Sequence, residues 1–233
     1  MTTYLYLDIE TIPTDDPRLI DHIAASVKPP ASMKKAETIE AWIRDQKEQA
    51  IADAVEKAGL DGAYGRVCAI GMAWGGEQMG ADSLMLQDVH DEEHDDEAEL
   101  LSRVKSMICA SLPRNVPPVI VGHNITGFDL RFLTQRCMVH GVCLPSWWRR
   151  DPKPWDSAVH DTMHMWAGHR DYVSLDKLCI ALGIEGKSGT NGADVAGMWE
   201  RGEYEAIRKY CMDDVMRTKA CHERMMRAFG GLV

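Results

Sequence analysis

The chain has 233 residues, of which 45% are hydrophobic and 27% are charged. These values are ordinary for a globular protein and predict a single domain over residues 1–233 with a full hydrophobic core. No apolar stretch approaches the ~20 residues that span a bilayer, and the N-terminus has no signal-peptide pattern, so we expect no membrane partner. The seven cysteines include no Cys-x-x-Cys pair, which favours reduced thiols in a cytoplasmic protein over a disulfide framework or a zinc ribbon.

The net charge of −10 is unusual for a protein that binds nucleic acid, because such proteins normally present a basic surface. The imbalance is local, since seven of the acids lie within residues 91–99. We interpret this acidic run as a solvated loop that leads into a helix N-terminus, where negative charge is favourable. Net charge therefore neither supports nor excludes a polyanionic substrate.

Hydrophobic patterning predicts three strands in succession, then αβαβ, then a helical C-terminal half, which is an α/β order. The predicted strands are 3–9, 66–74, 83–86, 119–121 and 159–160. Residues 14–63, between the first two strands, are predicted to form a helical insertion, and Thr38–Lys57 is its clearest helix. The other predicted helices are 97–112, 128–140, 161–168, 174–182, 193–200 and 203–228.

Four carboxylates in three short segments are the most informative feature of the chain. Asp8 and Glu10 lie on the first predicted strand, where the alternation of side chains places both on one side. Asp129 follows the fourth predicted strand, and Asp214 lies on the last predicted helix. Two acids on an apolar strand are costly unless paired, which disfavours a simple strand-end turn. Clustered carboxylates need a compensating cation, and hard oxygen ligands suit Mg²⁺ or Mn²⁺ rather than zinc.

Tyr210 lies four residues before Asp214, so both side chains are expected on the same face of the last helix. One helix would then present a metal ligand and a phenol to the same phosphate. Asp213 is an alternative to Asp214, but it projects about 100° away around the helix. The spacing therefore favours Asp214.

The order of the elements and the placement of the acids resemble the ribonuclease H-like fold. More narrowly, they resemble the DEDD 3′–5′ exonucleases, which are named for four acids in three motifs. Residues 8–11 match the first motif, residues 124–129 match the second, and residues 210–214 match the third in its tyrosine form, Tyr-x-x-x-Asp. Lys209 stands where the histidine form of the family would have histidine.

The strongest likeness is to stand-alone exonucleases related to the proofreading domain of family-B DNA polymerases. In those proteins, sequences like residues 174–178 and 186–189 also precede the third motif. The resemblance covers the chain except for about residues 14–63. It implies a mixed five-stranded sheet flanked by helices, with a helical insertion after strand one.

The resemblance also implies a reaction, the metal-dependent removal of nucleotides from a 3′ end with release of 5′-mononucleotides. Two Mg²⁺ or Mn²⁺ ions would act together at the terminal phosphodiester. Asp8, Glu10 and Asp214 would hold the ion that activates water, and Asp8 and Asp129 would engage the second ion. Tyr210 would orient the attacking water rather than remove its proton, because a phenol titrates near 10.

Single-stranded DNA is the expected substrate, and a replication or repair polymerase acting in trans is a possible partner. An alternative within the enzymes is a 3′–5′ exoribonuclease, since the same acids serve both sugars. A different class is a non-catalytic module that binds nucleic-acid ends. The complete set of acids together with Tyr210 disfavours that module, which has no need for a repulsive carboxylate cluster.

The candidate substrate contacts are Thr11, Asn124, Phe128 and Lys187. Asn124 either touches the terminal nucleotide or serves as a turn residue before a helix, and the two roles are equally compatible with the sequence. Phe128 is expected to pack beneath the site. Lys187 lies in a Gly-Lys-Ser sequence that follows an amphipathic helix instead of a buried strand, so we expect contact with the substrate backbone and not an ATP-binding loop.

Three further features each allow two interpretations. Residues 146–155 interleave aromatic and cationic side chains, as single-strand stacking surfaces do, but the rings could simply pack this loop against the domain. His160 and His164 have a zinc-compatible helical spacing, but no third ligand stands out, so structural roles are expected. The insertion at 14–63 would either close over the 3′ end or only pack against the sheet.

Overall fold

The computed structural model describes residues 2–76, 80–89, 96–112, 116–153, 155–168, 170–186 and 192–230. Within these residues the chain forms a five-stranded sheet in the order β3-β2-β1-β4-β5. Strand β2 is antiparallel to β1 and β3, whereas β1, β4 and β5 are parallel. The predicted mixed sheet is confirmed. Its strands are β1 (Tyr4–Ile12), β2 (Arg66–Gly75), β3 (Gly80–Met85), β4 (Val119–Gly122) and β5 (Val159–Asp161).

Helices cover the sheet on both faces and also form the segment between β1 and β2. The predicted helical insertion is confirmed, because three helices lie between these strands. None of the described helices has both the length and the apolar character needed to cross a bilayer. The helices are α1 (Pro17–Ser26), α2 (Ala36–Asp45), α3 (Lys47–Ala58), α4 (Asp96–Ser111), α5 (Asp129–His140), α6 (Thr162–Ala167), α7 (Leu175–Leu182), α8 (Val195–Glu200) and α9 (Tyr204–Ala228).

Three predicted elements differ most from the structure. Strand β3, predicted at 83–86, begins at Gly80 and ends at Met85. The single helix expected over Thr38–Lys57 divides into α2 and α3 at Gln46, whose φ of −129° and ψ of −18° leave the helical region. Strand β1 extends beyond residue 9 to Ile12, and its pairing with β2 shifts register between Glu10 and Thr11. Backbone pairing with β2 therefore continues past the apolar run from which the strand was predicted.

The two faces of the sheet pack against different helices. Leu7 and Ile70 point to the side that contains α4 and α5, where they contact residues such as Leu101 and Leu133. The opposite face is covered by α9, which crosses β2 at Gly71. A Cβ atom added to Gly71 would lie 2.9 Å from Val215 Cγ2 and 3.0 Å from Cys211 Sγ, so only glycine allows α9 to lie this close to the sheet.

Glu97 corrects the expectation that the acidic run is solvated. Its side chain is 1% exposed, and its carboxylate accepts hydrogen bonds from Arg136 Nε at 2.9 Å and Nη2 at 2.7 Å. The amide of Val67 donates a further bond to Glu97 Oε1 at 2.9 Å. Burial raises the pKa of Glu97, but the hydrogen bonds from His140 and Arg136 outweigh that effect and leave the pKa lowered. The ion pair therefore joins α4, α5 and β2, while residues 90–95 lie outside the described residues.

Replacing Arg136 by Met should strongly destabilise the protein, because the buried Glu97 carboxylate would lose its partner. We expect the free energy of unfolding to fall by about 3–5 kcal/mol, measured by urea unfolding. The double variant Glu97→Gln with Arg136→Met should recover most of this loss.

Arg103→Met is the matched control for this test, because Arg103 pairs with Glu99 on an exposed face of α4. We expect this change to cost at most about 1 kcal/mol. Equal losses for the Arg103 and Arg136 variants would contradict a structural role for the buried pair.

Candidate active site

Strand β1 brings Asp8 and Glu10 to the face of the sheet beneath α9. Both follow Tyr4 and Tyr6 in the two-residue alternation of the strand, and these tyrosines pack with Val215 of α9. Asp8 is paired with Gly71 of β2, so it lies where α9 approaches the sheet. The pairing of β1 with β2 shifts register directly after Glu10, and a break of this kind re-aims the residues that follow it.

Helix α9 supplies the second side of the site. Tyr210 and Asp214 are each 8% exposed, and a hydrogen bond to Asp214 contributes to the environment of the Tyr210 phenol. Cys211 Sγ lies 3.6 Å from the Asp8 carbonyl oxygen and 3.8 Å from Asp8 Oδ2. One ligand atom each from Asp8, Glu10 and Cys211 lie within 4.8 Å of one another.

Asp129 reaches the site from the parallel side of the sheet. It is the first residue of α5 and is 4% exposed. Its Oδ1 accepts a hydrogen bond at 3.1 Å from the backbone amide of Ile9, the residue between Asp8 and Glu10. The turn after β4 thus places the Asp129 carboxylate directly against β1.

Asp161 organises this turn, and the sequence analysis did not identify it. Its Oδ1 accepts a hydrogen bond from the Asn124 amide at 3.0 Å, and its Oδ2 accepts bonds from the Thr126 amide at 3.1 Å and the Thr126 hydroxyl at 2.7 Å. The Met163 amide donates to Oδ1 at 3.1 Å, so Asp161 also caps α6. Its position directly after a predicted strand, at the first residue of a predicted helix, could have indicated the capping role.

The carboxylates of the site strongly perturb one another. Burial raises the pKa of Asp8 well above its ordinary value, and the negative charges of Asp129, Glu10 and Asp214 raise it further. Burial also raises the pKa of Asp129 to about 7, against an ordinary value of 3.8. Such a cluster is stabilised either by protons or by a cation.

The neighbouring phenol and thiol are both held in their protonated forms. Burial, together with the charges of Asp214, Glu10 and Asp8, raises the pKa of Tyr210. Burial and the charges of Asp8 and Glu10 raise the pKa of the Cys211 thiol well above its ordinary value. A neutral thiol is a poor ligand for zinc, so the carboxylate oxygens form a hard donor set that fits Mg²⁺ or Mn²⁺. Cys211 lies three residues before Asp214, and that spacing could have placed it on the same face of the helix.

Arg217 is a second neighbour of the site that the sequence analysis missed. Its guanidinium forms an ion pair with Asp214 through Nη2 and Oδ1, and its Nε donates to the Asp213 carbonyl at 3.2 Å. Its Nη1 is buried and has no hydrogen-bond partner among the described residues. Asp214 therefore shares its negative charge between the carboxylate cluster and this arginine.

The candidate substrate contacts have different surroundings. Thr11 lies beyond the register shift and lines a cleft of about 300 Å³ together with residues of α3. Asn124 adopts a φ of 59°, and its Oδ1 fills the space that a Cβ atom of residue 127 would need, so its role as a turn residue has direct support. Phe128 stacks near Phe132 with ring centroids 5.4 Å apart. Lys187 lies outside the described residues.

The structure also distinguishes between the interpretations given for the aromatic loop at 146–155 and for the pair His160 and His164. Trp147 and Trp148 pack against the core, and Trp148 Nε1 donates to Thr134 Oγ1 at 3.0 Å, whereas Trp155 is 80% exposed. His160 lies on β5 and His164 on α6, so the helical spacing inferred for this pair is wrong. The predicted structural role agrees with the position of His160, whose Nδ1 lies 2.9 Å from Nε2 of the buried His222.

A family model matches residues 60–233, and it is described as a predicted 3′–5′ exonuclease related to the exonuclease domain of PolB. The chain belongs to this exonuclease family. A comparison with curated proteins gave no significant match.

Among the solved structures, 79 chains are similar to the exonuclease chain. One is the family B DNA polymerase from the hyperthermophilic archaeon Pyrobaculum calidifontis, with 16% identity and a TM-score of 0.56. The match covers 98% of the exonuclease chain and 25% of the polymerase chain. At 16% identity this likeness shows the fold alone, and the fold is ribonuclease H-like as predicted.

We expect the affinity for Mn²⁺ to weaken as the pH falls below about 7, because Asp129 and Asp8 must lose protons before an ion binds. Without metal, folded Asp129 keeps a proton between its ordinary pKa of 3.8 and its raised pKa of about 7, whereas the unfolded chain loses it. The free energy of unfolding should therefore fall as the pH rises through that range. Bound Mn²⁺ should restore stability at the upper end.

Thermal unfolding in EDTA and in Mn²⁺, at pH values on either side of 7, tests this expectation. Calorimetry in two buffers of different ionisation enthalpy counts the protons released on binding. Equal stabilisation by Mn²⁺ at both pH values, with no proton release, would contradict it.

Replacing Arg217 by Met should tighten Mn²⁺ binding, because the change removes a positive charge that pairs with Asp214. We expect an effect on the order of ten-fold in Kd by isothermal titration calorimetry. Arg224→Met, at an exposed position of the same helix, is the matched control and should leave Kd unchanged. Weaker binding by the Arg217 variant would mean that this arginine orders Asp214 instead of opposing the ion.

Proposed function

We propose that this exonuclease is metal-dependent and removes 5′-mononucleotides from the 3′ end of single-stranded DNA. The supporting observation is the convergence of Asp129 and Asp214 on Asp8, whose pKa is raised by both of them and by Glu10. These buried acids come from β1, the start of α5 and α9. A protein that did not bind cations would gain nothing from holding them together.

The four acids would together bind two divalent ions. Asp8, Glu10 and Asp214 would hold one ion, and Asp8 and Asp129 would hold the other. When bound, Mg²⁺ or Mn²⁺ would supply a nucleophilic water and stabilise the charge that develops on the leaving 3′-oxygen. The bond broken is the one between phosphorus and that oxygen, so the released nucleotide keeps its 5′-phosphate.

Tyr210 would donate a hydrogen bond in this reaction and would not act as a base. Its pKa is raised by burial and by the neighbouring acids, so the phenol stays protonated at neutral pH. Tyr210 lies one helical turn before Asp214, so its hydroxyl would lie beside an ion held by Asp214. It would orient the attacking water or an oxygen of the phosphate.

Substrate contacts are proposed for Thr11, Asn124, Phe128 and Lys187. Thr11 shares its cleft with α3, which supports a role of the helical insertion in holding the 3′ end. We further propose a single domain, a cytoplasmic location, and action in trans with a replication or repair polymerase. The relationship to the exonuclease domain of PolB favours DNA over RNA as the substrate.

The test uses a 5′-labelled single-stranded DNA and the matching RNA, each incubated with Mg²⁺, Mn²⁺ or EDTA. We expect a metal-dependent ladder that shortens the DNA from its 3′ end. Asp8→Asn and Asp214→Asn should each lower the rate by at least about a thousand-fold, since each change removes a charged ligand.

The control variant is Asp213→Asn, which changes a neighbouring acid of the same helix and should keep the activity of the unaltered protein. Circular dichroism verifies that each variant is folded. Cleavage that persists in Asp8→Asn, or that continues in EDTA, would overturn the metal-dependent mechanism. A ladder from RNA alone would identify the exoribonuclease alternative.

A further inference from the structure

A cleft of about 510 Å³ runs along β5, between α6 and the C-terminal end of α9. Its walls combine large apolar side chains with imidazole and ammonium groups. Two of its aromatic residues are unusually exposed, Trp155 at 80% and Phe229 at 71%. The residues that give the cleft this character are Lys153, Trp155, His160, His164, Met165 and Phe229.

One end of the cleft lies at the turn between β4 and α5, which leads into the candidate active site. Thr126 and Asp161 line the cleft, and their side chains are joined by a hydrogen bond of 2.7 Å. Asp161 also accepts the amide of Asn124, and the turn that these bonds hold leads directly into Asp129. A strand whose 3′ end lies at the carboxylate cluster would reach the cleft by passing this turn.

The charges around the cleft are compatible with a nucleotide. Two acids line the cleft. The Asp161 carboxylate is buried and accepts hydrogen bonds from Asn124, Thr126 and Met163, so its charge is compensated within the protein. The Asp156 carboxylate accepts the Ala158 amide at 2.9 Å and lies 3.7 Å from Arg149 Nε. Lys153 is 56% exposed, and among the described residues its one ion pair is with the exposed Asp151 at 2.5 Å. Exposed pairs of this kind contribute little, so the ammonium group is available to a phosphate.

The aromatic and imidazole rings of the cleft are suited to binding a nucleobase. Trp155 offers an exposed indole face, and base–aromatic stacking tolerates any sequence. The Nδ1 atoms of His160 and His164 lie near His222 and Thr126. The Nε2 atom of each ring has no hydrogen-bond partner within the described part of the chain and can bond to a base edge.

We propose that this cleft binds a nucleobase of the substrate strand, stacked on Trp155, at least two nucleotides to the 5′ side of the bond that is cut. The 5′ side is assigned because the strand continues in that direction from a terminal phosphodiester bound at the carboxylate cluster, whereas a single nucleotide lies on the 3′ side of the bond. This assignment rests on the proposed nuclease function. It also divides the roles of the three tryptophans in residues 146–155, because Trp147 and Trp148 pack the loop and Trp155 contacts the ligand.

The test measures binding and hydrolysis separately. Binding of a fluorescein-labelled thymidine oligomer of about 12 nucleotides is followed by fluorescence anisotropy in EDTA, where no hydrolysis occurs, and Trp155→Ala should raise its Kd about five-fold or more. Trp155→Phe should retain most of the affinity, since it keeps an aromatic face. In Mn²⁺, the loss of kcat/KM in Trp155→Ala should be larger for the oligomer than for a thymidine dinucleotide, because only the longer strand reaches the cleft.

Trp166→Ala is the matched control, because Trp166 is a tryptophan of α6 that is 49% exposed and does not line the cleft. It should bind and hydrolyse as the unaltered protein does. Unchanged oligomer binding in Trp155→Ala, an equal loss in Trp166→Ala, or no binding by the unaltered protein would each overturn the assignment. Binding that depends on Trp155, without hydrolysis of any strand, would instead reject the nuclease function and leave the binding site standing.

Discussion

The repulsion among buried carboxylates around Asp8 is the constraint on which the rest of the site depends. Asp8 lies close enough to Asp129, Glu10 and Asp214 for all three charges to raise its pKa. The fold holds this arrangement through contacts that lie outside the cluster. Gly71 lets α9 approach β1, and the Ile9 amide fixes Asp129 against the strand. The cluster is thus assembled by backbone geometry, and its charge is left for protons, an arginine or metal ions to balance.

Asp161 differs from the acids of the cluster, because its charge is compensated by hydrogen bonds inside the protein. Both of its carboxylate oxygens accept hydrogen bonds, and these bonds hold the turn between β4 and α5. Asp129, at the end of that turn, has a pKa raised to about 7 although it also accepts hydrogen bonds, because burial dominates. Two acids on neighbouring elements therefore have separate roles, one holding the backbone and the other available to a ligand.

The negative net charge of the chain says little about nucleic-acid binding, because part of that charge is not on the surface. Several acids are not exposed to solvent. Glu97 is buried in an ion pair with Arg136, and the site acids are mostly buried. The cleft along β5 adds an exposed indole and a lysine rather than a broad basic patch. A binding mode that relies on stacking is consistent with such a surface, because base–aromatic contacts do not need a large positive field.

The sequence by itself determined the sheet, the helical insertion and the four acids with Tyr210, because strand and helix periodicities are local and place Asp8 with Glu10 and Tyr210 with Asp214. Only the tertiary structure decided that Cys211 and Arg217 border the site, that Asp161 holds the turn, and that Glu97 is buried. Asn124 and Thr126, which bond to Asp161, lie 37 and 35 residues away in the chain, and Arg136 lies 39 residues from Glu97. Contacts of that kind depend on how elements pack and on how each helix is rotated, and no local pattern of residues carries that information.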